Sequence, residues 1–311
     1  MPTYKGAIRL FQISGITVFL HWSWFFVAVL ELQRQSVYSS RAWSLLEYLT
    51  LFAIVLLHEF GHALACRSVG GTAEQIVLWP LGGVAYVNAP SRPGAMLWSI
   101  AAGPLVNVAL APVLGILAIA THSSSGSDFS VFVSEVNVIN LVLLLFNILP
   151  FYPLDGGKIL RSLLWYVVGR ARSLMVTVII GFIGVIGLAI RAVLIQSMWL
   201  GIVSIFAGMQ CIGGFKQAQV LKKLEALPRH PEARCPSCRC NPPMGSYWVC
   251  TACRTSFDTF ENRAACPHCA ALFPTTTCLD CLVSSPIEAW TAAAAPIHAT
   301  VPAVGSGHSF S

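Results

Sequence analysis

Residues 51–66 read LFAIVLLHEFGHALAC, and they place His58, Glu59 and His62 within five positions of an otherwise apolar run. On an α-helix, positions i and i+4 lie about 40° apart around the axis and one turn along. The two imidazoles therefore face the same side and can share one divalent metal ion. Glu59 projects beside them, where it can reach a water at the metal without ligating it. Ionisable residues in an apolar span are costly and mark function by default. The plainer alternative is a pair of hydrogen-bonded structural histidines with an interhelical ion pair.

A catalytic zinc site takes three protein ligands and keeps a position open. The candidates for the third ligand are His21, Glu135 and Asp155. Asp155 lies in FNILPFYPLDGGKILR, where Pro150, Pro153, Gly156 and Gly157 break or loosen a helix. Non-helical backbone at membrane depth is tolerated only where it lines a cavity or is buried in protein. An aspartate held there can turn toward a metal. Glu135 falls at the opposite end of its span and reads as a charge anchored at the interface. His21 reads either as a residue beside the site or as a hydrogen-bonded structural histidine. Asn137, Asn140 and Asn147 share one helical face. The first two read as interhelical hydrogen-bonding groups. Asn147, and Asn107 in AAGPLVNVAL, are candidate contacts to a substrate or to a tetrahedral oxyanion. Gly103, on the same face as Asn107, reads as a close helix contact.

The elements that must position these residues follow from composition. The chain has 311 residues, 56% hydrophobic and 10% charged, against about 25% charged in ordinary soluble domains. That excludes a soluble globular class for most of the chain. Six spans are expected, over 16–32, 44–66, 95–120, 131–153, 174–194 and 197–214, each near the length that crosses a bilayer. The last two are close enough to form a tight hairpin instead. Residues 74–88 carry two β-rich runs around PLGG, which predicts a β-hairpin after the second span. The polar N-terminus, MPTYKGAIRLFQISG, shows no cleavable signal sequence.

Loop charges predict orientation. Lys5, Arg9, Arg67, Arg92, Lys158, Arg161, Arg170, Arg172, Lys216, Lys222, Lys223 and Arg229 form one set, which places both termini in the cytoplasm. Arg34, Arg41 and Arg191 fall on the other side. The net charge of +6 reads as this anchoring bias rather than as a nucleic-acid signal. In this orientation the spans carrying His58/His62 and leading to Asp155 both run inward, to the same level.

Past residue 224 the apolar character ends. The expected organisation is a membrane domain over 1–224, a linker over 225–234, a cysteine-rich domain over 235–283 and a disordered tail over 284–311. Nine of the eleven cysteines fall between Cys235 and Cys281. Four C-x-x-C pairs predict two structural zinc sites, each held by four thiolates. In sequence order these are Cys235, Cys238, Cys250 and Cys253, then Cys266, Cys269, Cys278 and Cys281. Cys240 is left over as a free thiol, and His268 is not a ligand. About 50 residues bury little core, so metal would supply the folding energy. The pattern resembles a double zinc ribbon, on the cytoplasmic side, where thiols stay reduced. Such a module can recruit a cytoplasmic protein partner. Arg234, Arg239, Arg254 and Arg263 are too scattered for a nucleic-acid surface.

HEFGH followed by Asn147, Pro150, Pro153, Leu154, Asp155 and Gly156 resembles the site-2 protease family of intramembrane zinc metalloproteases. GITVFLHWSW and AAGPLVN are similar to its compact six-span branch. The resemblance implies that His58, His62 and Asp155 hold a catalytic Zn2+ and that Glu59 is the base. It implies a mainly α, polytopic membrane bundle that hydrolyses a peptide bond in or near the transmembrane segment of a membrane-anchored protein. The cysteine-rich region stands where many members of this branch carry paired CBS modules. A different class also fits the residues, a non-proteolytic membrane scaffold with structural zinc and partner-recruiting ribbons.

Overall fold

The computed structural model describes residues 6–25, 28–29, 38–79, 82–122, 126–281 and 283–292. Two compact units divide the chain, Met1–Glu225 and Ala226–Ser311.

The first unit opens with strands β1 (Ala7–Ile13) and β2 (Ile16–His21), which turn through Ser14 and Gly15, both at positive φ. Helix α1 (Arg41–Ser68) leads to β3 (Thr72–Trp79) and β4 (Gly82–Asn88). The four strands form one sheet in the order β1-β2-β3-β4, with β2 and β3 parallel and the outer pairs antiparallel. A parallel pair needs a long crossover, and the segment containing α1 provides it. One core joins sheet and helix: Ile16, Val18, Ile76 and Leu78 pack with Trp24, Val55 and Ala63. Arg67, at the end of α1, donates to the carbonyls of Ser14, Gly15 and Ala73 and ties the sheet to the helix.

Here the expectation of a first membrane span over 16–32 is corrected. Residues 16–21 are strand, Trp22 is a turn, residues 23–25 and 28–29 are helical, and the rest of that range lies outside the described residues. Extended backbone is stable there because β2 is paired on both edges, leaving no ladder group unsatisfied. The expected hairpin over 74–88 is present as β3 and β4, within a larger sheet.

Five helices follow the sheet's logic outward: α2 (Pro93–Thr121), α3 (Asp128–Ile148), α4 (Asp155–Val168), α5 (Arg170–Leu194) and α6 (Met198–Glu225). Among the described residues α1, α2, α3, α5 and α6 are long and apolar enough to cross a membrane. The starts obey local chemistry. Ser40 and Ser127 cap α1 and α3 with their side-chain oxygens, and Pro93 opens α2. Burial is inverted relative to a soluble protein. Asn107 and Asn140 are fully buried, whereas Ile119 is 78% and Val167 83% exposed. Lipid accepts the apolar exterior and would not accept the amides. Residues 149–154 break the chain between α3 and α4, and the Tyr152–Pro153 bond in that turn is cis. Asp155 is therefore the first residue of a helix, just past the break.

The second unit holds two small antiparallel pairs, β5 (Trp248–Val249) with β6 (Ser256–Phe257) and β7 (Thr275–Thr277) with β8 (Ser284–Pro286). A short helix, α7 (Ile287–Ala292), follows. Two expectations are corrected in it. The stretch expected as a linker is built into the fold: Arg229 pairs with Asp280 at 2.6 Å, and His230 N–H donates to the Pro242 carbonyl at 2.9 Å. The expected tail from 284 is ordered through α7, because Trp290 is fully buried against Ala233, Cys235, Cys278 and Cys281. The remainder of that tail, 293–311, lies outside the described residues.

Candidate metal centre

His58 and His62 project from the same face of α1, and Asp155 reaches them from the first turn of α4. His58 Nε2 lies 3.1 Å from Asp155 Oδ2, His62 Nε2 lies 3.0 Å from the same oxygen, and the two Nε2 atoms are 3.1 Å apart. All three residues are buried. The turn that delivers Asp155 is tight: a Cβ on Gly156 would run into the carbonyl oxygens of Ile148 and Leu149. Lys158 Nζ, one turn along α4, holds the other oxygen, Asp155 Oδ1, at 3.2 Å.

Hydrogen-bond logic fixes the protons. Asn140 Nδ2 donates to the Asn107 backbone carbonyl at 3.0 Å, so Asn140 Oδ1 must be the atom that accepts from Asn107 Nδ2 at 2.8 Å. Asn107 therefore turns its Oδ1 to His58 Nδ1, 2.7 Å away, and that nitrogen must carry the hydrogen. His62 Nδ1 faces the Ser99 carbonyl at 2.9 Å and must likewise donate. Neutral imidazole has one N–H, so both Nε2 atoms present bare lone pairs. With both imidazoles neutral, two such nitrogens and a carboxylate oxygen meet at distances of 3.0 and 3.1 Å without a hydrogen to share. Three converging acceptors repel one another unless a cation sits between them, and N, N, O is a donor set that zinc accepts. The residues fit the ion.

Glu59, the neighbour of His58, is also buried, and it accepts a hydrogen bond from the Ala85 backbone N–H at 2.9 Å through Oε2. Ala85 belongs to β4, the outer strand of the sheet. The sheet thus holds the carboxylate next to the histidines.

The other sequence candidates sit differently. His21 stacks on Trp79 at 3.8 Å and meets Ser23 Oγ at 2.5 Å; it stands outside the cluster. Glu135 lies near Tyr38, within its electrostatic reach, and is also outside the cluster. Asn107 is corrected from a substrate contact to a buried support of His58, since its amide is spent on His58 and Asn140. Sequence reading missed this because the partners come from three different helices. Asn147 is half-buried on the last turn of α3, and among the described residues its amide has no partner.

In the second unit the eight cysteines of the C-x-x-C pairs form two clusters, but the pairing is nested rather than sequential. Cys235 and Cys238 join Cys278 and Cys281, while Cys250 and Cys253 join Cys266 and Cys269. The expected sets are corrected accordingly: the chain starts one site, completes the other, and returns to the first. Closest Sγ–Sγ distances are 3.7 Å in the outer cluster and 3.6 Å in the inner one. A tetrahedron with zinc–sulfur arms of about 2.3 Å has edges of roughly 3.8 Å, so both clusters fit a zinc ion. All eleven cysteines are free. Each pair is a turn of one design. The N–H of Cys235, Cys250, Cys266 and Cys278 donates to the carbonyl five residues on. Arg239, Arg254 and Ala270, each just after a second cysteine, sit at positive φ.

The profile of peptidase family M50 matches residues 47–125 and 112–190. A zinc metalloprotease of Methanocaldococcus jannaschii is 29% identical over 228 residues, 73% of this chain and 65% of its own. A Synechocystis protein is 28% identical over 240 residues, 71% of this chain and 62% of its own. The chain thus spans just under two thirds of the length of these curated relatives. A solved site-2 protease from Methanocaldococcus jannaschii aligns with 67% of this chain and 95% of its own, at 27% identity and a TM-score of 0.49.

Proposed function

The membrane unit of this chain belongs to peptidase family M50, and from that premise we propose that the protein is an intramembrane zinc metalloprotease that cleaves a membrane-anchored protein. The observation that carries the proposal is the meeting of His58 Nε2, His62 Nε2 and Asp155 Oδ2 within about 3 Å of one another, with the Glu59 carboxylate beside them.

His58, His62 and Asp155 would hold the ion. When bound, it supplies a Lewis acid for the scissile carbonyl and lowers the pKa of a neighbouring water toward about 7. Glu59 is the base. Its Oε2 is anchored on Ala85 N–H, which leaves Oε1 to take the water's proton. The water oxygen adds to the scissile carbon, the C–N bond breaks, and Glu59 returns the proton to the leaving amine. Asn147, one turn before the break, would donate to the developing oxyanion. A substrate helix must unwind to present its amide, and β4 offers an outer edge to which the unwound segment can add as a strand.

The four cysteine pairs would hold two structural zinc ions, and the ribbon unit would serve a cytoplasmic protein partner. With both termini in the cytoplasm, as the loop charges favour, the break at 149–154 would face the water that hydrolysis consumes. The test is purified full-length protein, in lipid, against a panel of membrane-anchored proteins from the same cell. Wild type is expected to cut at least one of them, and Glu59→Gln to keep its metal and cut none. Equal cleavage by the variant would refute the assignment of the base. No cleavage by either, with metal bound, would favour the scaffold.

A further inference from the structure

Gly103 lies on α2 and is buried. Its Cα faces the metal centre rather than a neighbouring helix backbone. A Cβ built on it would lie 2.8 Å from His58 Nε2 and nearer still to His62 Nε2 and Cε1. Real Cβ atoms essentially never come within 3.0 Å of such atoms. Zinc sits about 2.0–2.1 Å from ligating nitrogens, so that Cβ would take much of the space an ion needs.

Gly61 provides the contrast, one position before His62. A Cβ there would meet the Ala102 carbonyl oxygen at 2.7 Å and Val106 Cγ2 at 2.9 Å, both on α2. Gly61 thus permits the close approach of α1 and α2. Gly103 does something else: the three nearest atoms facing it belong to proposed ligands. Glycine in a helix interior is a poorer helix residue than alanine, so local structure gives no reason for it.

We propose that Gly103 is a positioning residue of the metal centre, whose missing side chain is part of the room the ion occupies. A methyl group at 103 pushes the His62 imidazole aside and closes the site, without a direct effect on the helix that carries it. The inference rests on the protease reading, in that it takes the three acceptors to be an ion site.

The test counts zinc per full-length chain and measures thermal unfolding in detergent. Three side-chain clusters predict three ions in wild type. Gly103→Ala is expected to hold two, with helical content unchanged. A double-mutant cycle covers a variant that folds poorly. The cost of Gly103→Ala is expected to fall in a His62→Ala background, where the two closest atoms that the methyl meets are gone and only His58 Nε2 remains. Three ions in Gly103→Ala at wild-type affinity would overturn the inference, and so would an equal cost in both backgrounds. Two ions in wild type would instead sink the metal centre itself, while the cycle still decides whether the methyl meets His62.

Discussion

The backbone N–H of Ala85 donates to Glu59 Oε2 at 2.9 Å, so the edge strand of the sheet holds the proposed base. Ala85 pairs with Ile76 on its inner side, through the β3–β4 register. Its N–H points away from that partner, to the strand's open edge.

This contact makes the strand-addition idea testable. Side chains and edge groups alternate along a strand, so Val87 presents its N–H to the same edge as Ala85. Proline tolerates an edge whose N–H is outside the ladder. Val87→Pro should therefore leave the sheet and the metal content intact. If the substrate adds to β4, cleavage of a membrane-anchored protein should fall about tenfold or more, the equivalent of one lost hydrogen bond of about 1.4 kcal/mol. Unchanged cleavage would remove β4 as the docking edge.

The amide chain behind His58 makes a second prediction. Asn140 orients Asn107, and Asn107 sets which nitrogen of His58 carries the proton. In Asn140→Leu the Asn107 amide is free to turn its NH2 to His58, which would move the proton to Nε2. Supporting partners of metal ligands are typically worth ~10–100-fold in metal affinity, and a loss of that size is expected by competition with a chelator. Asn107→Asp accepts from His58 in either orientation. Adding it to Asn140→Leu should restore binding, which repacking of the helices alone would not do.

How much of this was legible beforehand depends on the range of the interaction. The H-E-x-x-H pattern was legible because the helix itself sets its geometry. Asp155 was legible because prolines and glycines mark a break wherever they occur. Residues 16–21 were not. ITVFLH is largely apolar, and it is a strand through pairing with β1 on one side and with β3, more than fifty residues on, on the other. Helix α4 hid behind Gly156 and Gly157, which read as loop but are needed where α4 passes the Ile148 and Leu149 carbonyls and the Phe151–Tyr152 backbone. That eight thiols would gather in two clusters was legible and their pairing was not, since C-x-x-C spacing forms a turn but does not choose its partner. Trp290 looked like part of a polar tail because its pocket is made by cysteines from both ends of the ribbon.

The nested pairing has a discriminating test. Cys238 and Cys278 share the outer cluster, while Cys253 belongs to the inner one. Cys238→Ser with Cys278→Ser should therefore cost one structural zinc per chain. Cys238→Ser with Cys253→Ser should cost two. Sequential pairing gives the reverse result, so metal analysis of these two double variants decides between the topologies.

The ribbon unit also carries a pH dependence separate from its thiols. His230 Nδ1 meets Glu232 Oε1 at 2.7 Å and its Nε2 meets Asp258 Oδ2 at 2.9 Å. Burial opposes the charged imidazole, but the bonds to Asp258 and Glu232 outweigh it and hold His230 above its ordinary range. Burial likewise opposes the Asp258 carboxylate, yet N–H donation from Gly245 and the bond to His230 keep it below the usual range. A raised imidazole stabilises the fold fully below its unfolded value, about 6.5, and loses that contribution as pH rises through the folded value. A depressed carboxylate stabilises above about 3.9 and loses its contribution as pH falls. The pair is thus strongest between about pH 4 and 6.5. His230→Gln should cost about 1.5–3 kcal/mol at pH 6, the range for hydrogen bonds to charged groups, and clearly less at pH 9. Zinc loss in acid affects both proteins alike, so the readout is the difference in unfolding free energy between wild type and variant at each pH. A difference that stays constant from pH 6 to 9 would mean that His230 is held as a neutral group.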